Sequence, residues 1–333
     1  KDRATQALLL LALEPEWEAQ FEPNSYGFRP GRSSHDAIEA IYNSINRKSK
    51  YVLDADIEKC FDSISHSALL QKLQTFPSAS KQIQAWLKAG VLDGLEFTPT
   101  NEKGTPQGGI ISPLLANVAL HGIEFQLKKY LTDTYGQRKA KGLTVIRYAD
   151  DIIVLYEDIQ ILLELRKQLE IFLSKLGLKL NTEKTTIKHT FQTYQTLDPG
   201  FDYLGFEIKQ YEVGKYKRGK KGLPFKTLIM PSKENVKKHL KELKEKMQIF
   251  TKPEPLLLTL NPKIIGWANY YRTVVSARIF GYCDHVVLMS LIRALSKKHS
   301  TRGLRWIFQR YFSVVDGYKW TMVARYKNAI SIS

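Results

Sequence analysis

Two adjacent carboxylates lie between two runs of β-branched and aromatic residues in the stretch VIRYADDIIVLY, residues 145–156. Each run is typical of a buried strand, and a tight turn between two such strands would bring both side chains near one point. Because Asp150 and Asp151 repel each other, such a pair is expected to be uncommon without a cation beside it. Carboxylate oxygens suit Mg²⁺, which commonly takes one or two of them together with substrate phosphates. The stretch therefore predicts a strand–turn–strand element that carries a metal site.

A third carboxylate is expected from a neighbouring strand. The stretch YVLDADI, residues 51–57, has strand character, and Asp56 lies nearer its end than Asp54, which shares the same face. Asp62 is a further alternative. Two Mg²⁺ ions held by such a set would contact both the attacking and the leaving oxygens of an in-line phosphoryl transfer. The competing interpretation is that Asp150 merely caps a turn, and the spacing alone does not decide between the two.

The composition is globular and large enough for two domains, with 333 residues of which 43% are hydrophobic and 25% are charged. No apolar run approaches the roughly 20 residues that a membrane span needs, so we expect no membrane contact. The longest early run, residues 7–13, lacks the flanking features of a signal peptide. Cys60 and Cys283 are far apart, which predicts neither a disulfide nor a zinc site and fits a reducing compartment.

Positive charge is concentrated in the last part of the chain. Residues 1–208 contain 24 Lys and Arg against 26 Asp and Glu, whereas residues 209–333 contain 26 against 7. This imbalance predicts that the second part binds a polyanion, most often nucleic acid, although a well-solvated basic surface is the alternative. Strand and helix patterns mix before a boundary expected at 209–230, and helical patterns follow it. We therefore expect an α+β domain followed by an all-helical one.

Several stretches together resemble one protein family. YADD between apolar strands resembles the hallmark box of reverse transcriptases. The rest of residues 1–208 resembles the group II intron reverse transcriptases block by block and in order, in NSYGFRPGRSSHDAI, DADIEKCFDSI, GTPQGGIISPLLANVAL, LGLKLNTEKT and FDYLGFEI. NPKIIGWANYYR, residues 261–272, is similar to their maturase-specific thumb, the X domain. The chain opens inside what resembles the end of the first block, so the N-terminal extension and most of that block are expected to be absent.

This resemblance implies a right-hand polymerase, with fingers and palm around an antiparallel palm sheet in residues 1–208 and a basic, all-helical thumb, the X domain, in residues 209–333. It implies an RNA-directed DNA polymerase and maturase, which binds group II intron RNA to promote splicing and copies RNA into DNA by target-primed reverse transcription. The implied partners are the intron RNA, a target DNA or primer and dNTPs, and the implied cofactor is Mg²⁺. A bacterial cytoplasmic location is expected, with an organelle as the alternative.

Two other functions remain open from the sequence. One is an RNA-binding splicing factor without polymerase activity, and the other is a domesticated reverse transcriptase of a defence system. The intact set of Asp56, Asp150 and Asp151 argues against the first, and the X-like thumb argues against the second.

The resemblance also implies roles for single residues. Asp56, Asp150 and Asp151 would bind the two Mg²⁺ ions and carry catalysis. The implied nucleotide-binding residues are Phe61, Gln107, Gly108 and Lys184. Phe61 would be a steric gate against the ribose 2′-OH, with core packing as the alternative, and Lys184 would protonate or stabilise the pyrophosphate leaving group unless it is a solvated surface lysine. The implied primer grip consists of Tyr203, Leu204 and Gly205.

Two basic segments are candidates for nucleic-acid contact. Arg29 and Arg32 lie in a glycine-proline loop with Tyr26 and Phe28, where guanidinium groups suit phosphates and aromatic rings stack on bases. The alternative is that the two rings anchor this loop to the core. The second segment is rich in lysine and glycine, and its predicted phosphate-contacting residues are Lys215, Lys217, Arg218, Lys220 and Lys221.

Overall fold

A computed structural model describes residues 2–89, 91–93, 96–98, 103–104, 109–214, 222–248, 252–315, 318–324 and 330–331. The chain divides into two compact units, of which the first comprises residues 1–201 with 209–227 and the second comprises residues 202–208 with 228–333. The chain therefore crosses from one unit to the other three times, after residues 201, 208 and 227, whereas the sequence predicted a single boundary around residues 209–230.

The first unit mixes helices and strands. Its helices are α1 (Asp2–Glu18), α2 (Ser34–Ile45), α3 (Cys60–Ser63), α4 (His66–Leu73), α5 (Pro77–Lys88), α6 (Ser112–Leu120), α7 (Ile123–Tyr135), α8 (Gln137–Ala140) and α9 (Ile159–Lys175). Its strands are β1 (Tyr51–Ala55), β2 (Val91–Asp93), β3 (Glu96–Thr98), β4 (Thr144–Tyr148), β5 (Asp151–Tyr156) and β6 (Thr186–His189). Local sequence fixes several helix starts: Ser33 and Asp36 form a capping box before α2, and Asp158 accepts from Gln160 N at the start of α9.

The centre of the first unit is a four-stranded sheet in the order β4-β5-β1-β6. All of its pairings are antiparallel, which confirms the predicted antiparallel palm sheet. Hydrophobic residues fill β5 from Ile152 to Tyr156, all of them buried, because this strand lies in the interior of the sheet. Helix α9 contributes Leu162, Leu165 and Leu169, none of them accessible to solvent, to the same hydrophobic core.

Three strands occupy the region where the chain passes between the units: β7 (Phe201–Tyr203), β8 (Phe206–Glu212) and β9 (Phe225–Pro231), paired in that order. The second unit then continues with the helices α10 (Lys233–Gln248), α11 (Pro253–Tyr271), α12 (Ala277–Lys298) and α13 (Leu304–Tyr311). Their apolar faces meet in a separate core, in which Leu257, Leu260, Leu295 and Ile307 are fully buried. The helical character predicted for this part is thus confirmed as far as residue 311.

The end of the second unit differs from the prediction of an all-helical thumb. Residues 312–331 form the strands β10 (Phe312–Val315), β11 (Tyr318–Ala324) and β12 (Ile330–Ser331), which pair in that order. The reason is visible in the sequence, since FSVV and YKWTMVA are rich in β-branched and aromatic residues that favour strands over helices.

Helix α12 bears on the expectation of no membrane contact. It is long and apolar enough to cross a membrane, judged by length and composition alone. Leu291 and Leu295 of this helix are buried in the core of the second unit, whereas most of its residues are not buried.

Candidate active site

The central sheet brings the predicted carboxylates to one end of adjacent strands. Asp56 directly follows β1, the last residue of which pairs with Ile152 on β5. Tyr148, at the end of β4, pairs with Asp151 at the start of β5, so Asp150 lies in the two-residue turn between them. Because β1 and β5 are adjacent and antiparallel, the end of one lies beside the start of the other. All three carboxylates are therefore at the same end of the sheet.

The turn between β4 and β5 is strained and closely packed. Ala149 adopts a φ of 56°, in the left-handed region that costs a residue with a side chain roughly 1–2 kcal/mol. Gly27 lies against this turn, since a Cβ on Gly27 would be 2.2 Å from the Ala149 nitrogen. Alongside, the Tyr26 amide donates to the Arg147 carbonyl at 2.8 Å. The backbone of the NSYGF segment thus braces the turn from one side, and only glycine fits at position 27.

The three carboxylates are electrostatically coupled. Asp151 is open to solvent on one side, yet removal of water from the rest of its surroundings raises the pKa of its carboxyl to about 6. The negative charges of Asp150 and Asp56 add to that rise, whereas Lys184 opposes it. The Lys184 Nζ lies 3.7 Å from Asp56 Oδ2, and because Lys184 is largely exposed this ion pair is weak. A divalent cation beside the carboxylates would remove the repulsion among them.

The donor set fits Mg²⁺ bound with substrate. Among the residues that the structure describes, no three His, Cys, Asp or Glu side chains form a ready-made metal cluster. The three aspartates therefore do not close a cage on their own. Mg²⁺ is seldom bound by an all-protein cage, because it keeps several waters and shares its coordination between one or two carboxylates and phosphate oxygens. Hard oxygen donors at the open end of a sheet suit that mode of binding.

A buried arginine supports the turn, and the sequence analysis missed it. Arg147 precedes the YADD box on β4 and is only 3% exposed. Its Nη1 donates to Asn117 Oδ1 at 2.8 Å and to the Ala149 carbonyl at 3.0 Å. Its Nη2 donates to Ser25 Oγ at 2.6 Å. One guanidinium group thus joins the strained turn to two segments that are distant in sequence.

Asn117 connects Arg147 with the backbone of Gly27. Its amide nitrogen donates to the Gly27 carbonyl at 2.9 Å while its oxygen accepts from Arg147. Asn117 is 1% exposed and lies on α6, whose other side chains are almost all buried. Buried polar groups are retained where they are fully paired, and these pairs fix the turn relative to Gly27 and α6. In the sequence, this support of the turn was indicated only by an arginine inside an apolar strand and an asparagine inside an apolar helix.

Phe61, the predicted steric gate, is half-buried. Its ring packs against the core of the first unit and contacts Phe28 edge to face, with the centroids 6.1 Å apart. Phe28 is 51% exposed and holds a φ of 59°, so a strained backbone presents this ring to solvent beside Phe61. The preceding Cys60 is buried, which raises the pKa of its thiol to about 12 and makes it unreactive.

Part of the predicted nucleotide pocket lies outside the described residues, namely Gln107 and Gly108. The same holds for the second basic segment, with Lys215, Lys217, Arg218, Lys220 and Lys221. The described beginning of the glycine-proline-glutamine segment packs closely on α3. Gly104 has a φ of 87° and donates to the Ile64 carbonyl, and a Cβ there would lie 2.8 Å from the Asp62 carbonyl oxygen.

Comparison with known proteins agrees with this geometry. A family model described as Reverse transcriptase (RNA-dependent DNA polymerase) matches residues 1–208, which contain all three aspartates. The chain belongs to the reverse transcriptase family. A second model, described as Group II intron, maturase-specific domain, matches residues 233–312 in the second unit. Both matches confirm the resemblance to the group II intron reverse transcriptases.

Two curated relatives have similar sequences. The Group II intron-encoded protein LtrA of Lactococcus lactis is 27% identical over 90% of this chain and 61% of LtrA. Protein YkfC of Escherichia coli is 29% identical over 62% of this chain and 61% of YkfC. The chain thus spans about three fifths of the length of either relative. Among solved structures, a telomerase from Candida albicans aligns with a TM-score of 0.48 and 13% identity, covering 88% of this chain and 51% of that one.

The predicted primer grip forms a tight turn between β7 and β8. Leu204 and Gly205 have φ values of 49° and 81°, and Tyr203 is buried. The Tyr270 and Tyr271 hydroxyls donate to the Leu204 and Gly205 carbonyls, both at 3.0 Å. Two residues of the maturase-specific α11 therefore fix the shape of the turn, and one of them, Tyr271, is itself buried.

The structure corrects the prediction for Arg29. Its guanidinium is buried and pairs with Glu18 at 2.8 Å, and it also donates to the Glu22 and Ser25 carbonyls. Arg29 therefore holds its loop together and has no exposed fork for a phosphate. Arg32 is exposed, with its guanidinium carbon 5.9 Å from the centre of the Tyr26 ring. The Arg32 side chain is therefore accessible to a nucleic acid, and its predicted role in phosphate contact stays a prediction.

Proposed function

We propose that this chain is the polymerase and RNA-binding part of a group II intron-encoded reverse transcriptase and maturase. The observation that carries the proposal is the convergence of Asp56, Asp150 and Asp151 at one end of an antiparallel sheet, within a chain that also matches the maturase-specific domain. The reaction is RNA-directed DNA synthesis with dNTPs on a DNA primer. In the maturase role, the protein binds the intron RNA to promote its splicing, and target-primed reverse transcription copies that RNA.

The chain's residues divide the work of nucleotide transfer. Asp56, Asp150 and Asp151 would hold two Mg²⁺ ions, which supply Lewis-acid stabilisation of the attacking and leaving oxygens. Members of the reverse transcriptase family generally use Mg²⁺. Lys184 lies beside Asp56 and would stabilise or protonate the departing pyrophosphate. The strained turn at Ala149 fixes two of the carboxylates before substrate binds, which avoids reorganisation during the reaction.

The nucleotide and primer positions complete the proposal. Phe61 would exclude the ribose 2′-OH and select dNTPs, while Gln107 and Gly108 would contact the incoming nucleotide. Tyr203 with the two residues after it would hold the primer end. Arg32 and the basic segment after residue 214 would contact nucleic-acid phosphates. The unpaired, buried thiols of Cys60 and Cys283 fit the proposed location in a reducing compartment, either bacterial cytoplasm or an organelle.

The test separates polymerase activity from RNA binding. Primer extension on poly(rA)/oligo(dT) is measured for the complete gene product and for its Asp150→Ala variant, together with binding of labelled intron RNA. We expect the variant to lose extension and to keep RNA binding, because the carboxylate acts on the metal and not on the RNA. If the wild-type protein binds the intron RNA but does not extend the primer, the result would favour a splicing factor without polymerase activity. Sequencing the RNA that co-purifies with the protein distinguishes an intron partner from a defence-system partner.

A further inference from the structure

A cavity of about 690 Å³ lies at the end of the central sheet opposite to the carboxylates. Its walls come from the end of α2, from α8 and from the residues that follow β5. Lys50, in its lining, precedes β1, whereas Asp56 follows β1. Six residue steps along the strand from Lys50 to Asp56, at roughly 3.3 Å each, separate the two sites by about 20 Å. This cavity, called here the basic cavity, is therefore distinct from the polymerase centre.

The basic cavity concentrates positive charge in a part of the chain that is slightly acidic as a whole. Its cationic lining residues are Arg47, Lys48, Lys50, Arg138, Lys139 and Lys141. Only two carboxylates, Glu157 and Asp158, face them in the lining. Residues 1–208 contain fewer Lys and Arg than Asp and Glu, so composition alone does not account for six cations around one concavity.

One of these cations is structural. Lys50 is 7% exposed, and its Nζ donates to Ser44 Oγ at 3.0 Å and to the Gly142 carbonyl at 3.2 Å. It thus connects the end of α2 with the segment before β4 and gives the cavity a fixed floor. Burial of Lys50 lowers the pKa of its ammonium group, as expected for a cation held by neutral acceptors.

The two carboxylates are already engaged. Glu157 pairs with Lys48 at 2.9 Å, and Asp158 accepts from the Gln160 amide at the start of α9. Within the described residues, no hydrogen bond or ion pair engages four remaining side chains, those of Arg47, Arg138, Lys139 and Lys141. These four cations repel one another across the cavity, so an anionic ligand would be stabilised there.

The lining identifies the kind of anion. The volume exceeds what one inorganic phosphate needs, and the cations come from two separate segments, residues 47–50 and 138–141, which suits a chain of phosphates. The single aromatic residue of the lining, Tyr156, is 4% exposed, and its hydroxyl donates to the Lys139 carbonyl at 3.1 Å. It is therefore not available to stack on a base. Contacts would go to the backbone phosphates, which position a nucleic acid without reading its sequence.

We propose that the basic cavity binds backbone phosphates of a structured RNA outside the polymerase centre. The inference rests on the proposed function, because that function supplies a folded RNA as partner. A segment bound at this distance from the carboxylates is not the primer end under extension. The cavity thus anchors a second region of the same RNA and orients it relative to the catalytic sheet.

The test neutralises three free cations of the basic cavity in the complete gene product. The variant is Arg47→Gln/Arg138→Gln/Lys141→Gln, and the matched control is Lys81→Gln/Lys88→Gln/Lys167→Gln, which removes the same charge from three exposed lysines elsewhere in the first unit. Binding of a labelled RNA hairpin, and of a DNA hairpin of the same sequence, is measured over a series of salt concentrations. Thermal unfolding of both variants establishes that they are folded.

We expect the cavity variant to bind the RNA hairpin about 10- to 100-fold more weakly than the control, and its salt dependence to be less steep by about 2 to 3 released counterions. RNA affinity and salt dependence equal to those of the control would overturn the proposal. Loss of affinity for the DNA hairpin without loss of affinity for the RNA hairpin would overturn the assignment to RNA. Both results leave primer extension by the wild-type protein in place, whereas failure of the proposed function would abolish that activity.

Discussion

Arg147 is expected to set the rate of catalysis without touching the substrate. Its guanidinium makes three hydrogen bonds with Asn117, Ser25 and the Ala149 carbonyl, at 2.8, 2.6 and 3.0 Å. In Arg147→Lys the positive charge is kept, but one ammonium group cannot reproduce the fork that spans three acceptors. Loss of one or two such bonds, at about 1.5–2 kcal/mol each, would lower the free energy of unfolding by about 2–4 kcal/mol.

The kinetic consequence follows from the position of the turn. If Ala149 relaxes from its strained φ, Asp150 and Asp151 shift, and a misplacement on the order of 1 Å costs about 100-fold in rate. We therefore expect kcat for primer extension to fall by about 10- to 100-fold in Arg147→Lys, while KM for the dNTP changes by less than about threefold. The matched control is Arg166→Lys, at a partly exposed arginine of α9 that pairs only with the neighbouring Glu170. A kcat for Arg147→Lys equal to that of the control would refute the positioning role.

Three further predictions concern other parts of the chain. Gly205→Ala should destabilise the second unit by about 1–3 kcal/mol in chemical denaturation, because a Cβ would lie 2.8 Å from the Tyr271 hydroxyl at a φ of 81°; unchanged stability would refute the close packing. Burial and nearby positive charges lower the pKa of His121 to about 4. The neutral imidazole therefore contributes up to about 3 kcal/mol to the free energy of unfolding above pH 6.5, and this contribution is lost as the pH falls towards 4. His121→Phe should flatten that pH dependence of unfolding, and an unchanged slope would contradict it. Phe61→Ala should raise incorporation of ribonucleotides relative to dNTPs about 10-fold or more in single-nucleotide extension. Phe28→Ala is the control, because it removes the aromatic ring that contacts Phe61 and leaves Phe61 in place.

The carboxylate end of the sheet could be predicted because its signals are local. The apolar runs around Asp150 and Asp151 specify two strands by composition alone, and the alternation in β1 places Asp56 at the strand end. The antiparallel pairing of the strands was implied by the family resemblance and not by these local signals.

The remainder depends on contacts that no local pattern encodes. Arg29 looked like a phosphate ligand in an open loop, but Glu18, 11 residues earlier on α1, neutralises it. Arg147 finds Ser25 at a separation of 122 residues and Asn117 at 30, so its role needed the tertiary structure. The basic cavity likewise assembles from segments far apart in sequence, since its cations come from residues 47–50 and 138–141.

The most direct test of the central claim compares two aspartates of the same strand region. Asp54 lies within β1 and Asp56 follows it, and the two were alternatives for the third catalytic carboxylate. Mg²⁺-dependent primer extension on poly(rA)/oligo(dT) is measured for Asp56→Asn and Asp54→Asn in the complete gene product. We expect Asp56→Asn to lower kcat about 100-fold or more, and Asp54→Asn to stay within about fivefold of the wild-type protein. Retained activity in Asp56→Asn, with activity lost in Asp54→Asn, would contradict this expectation.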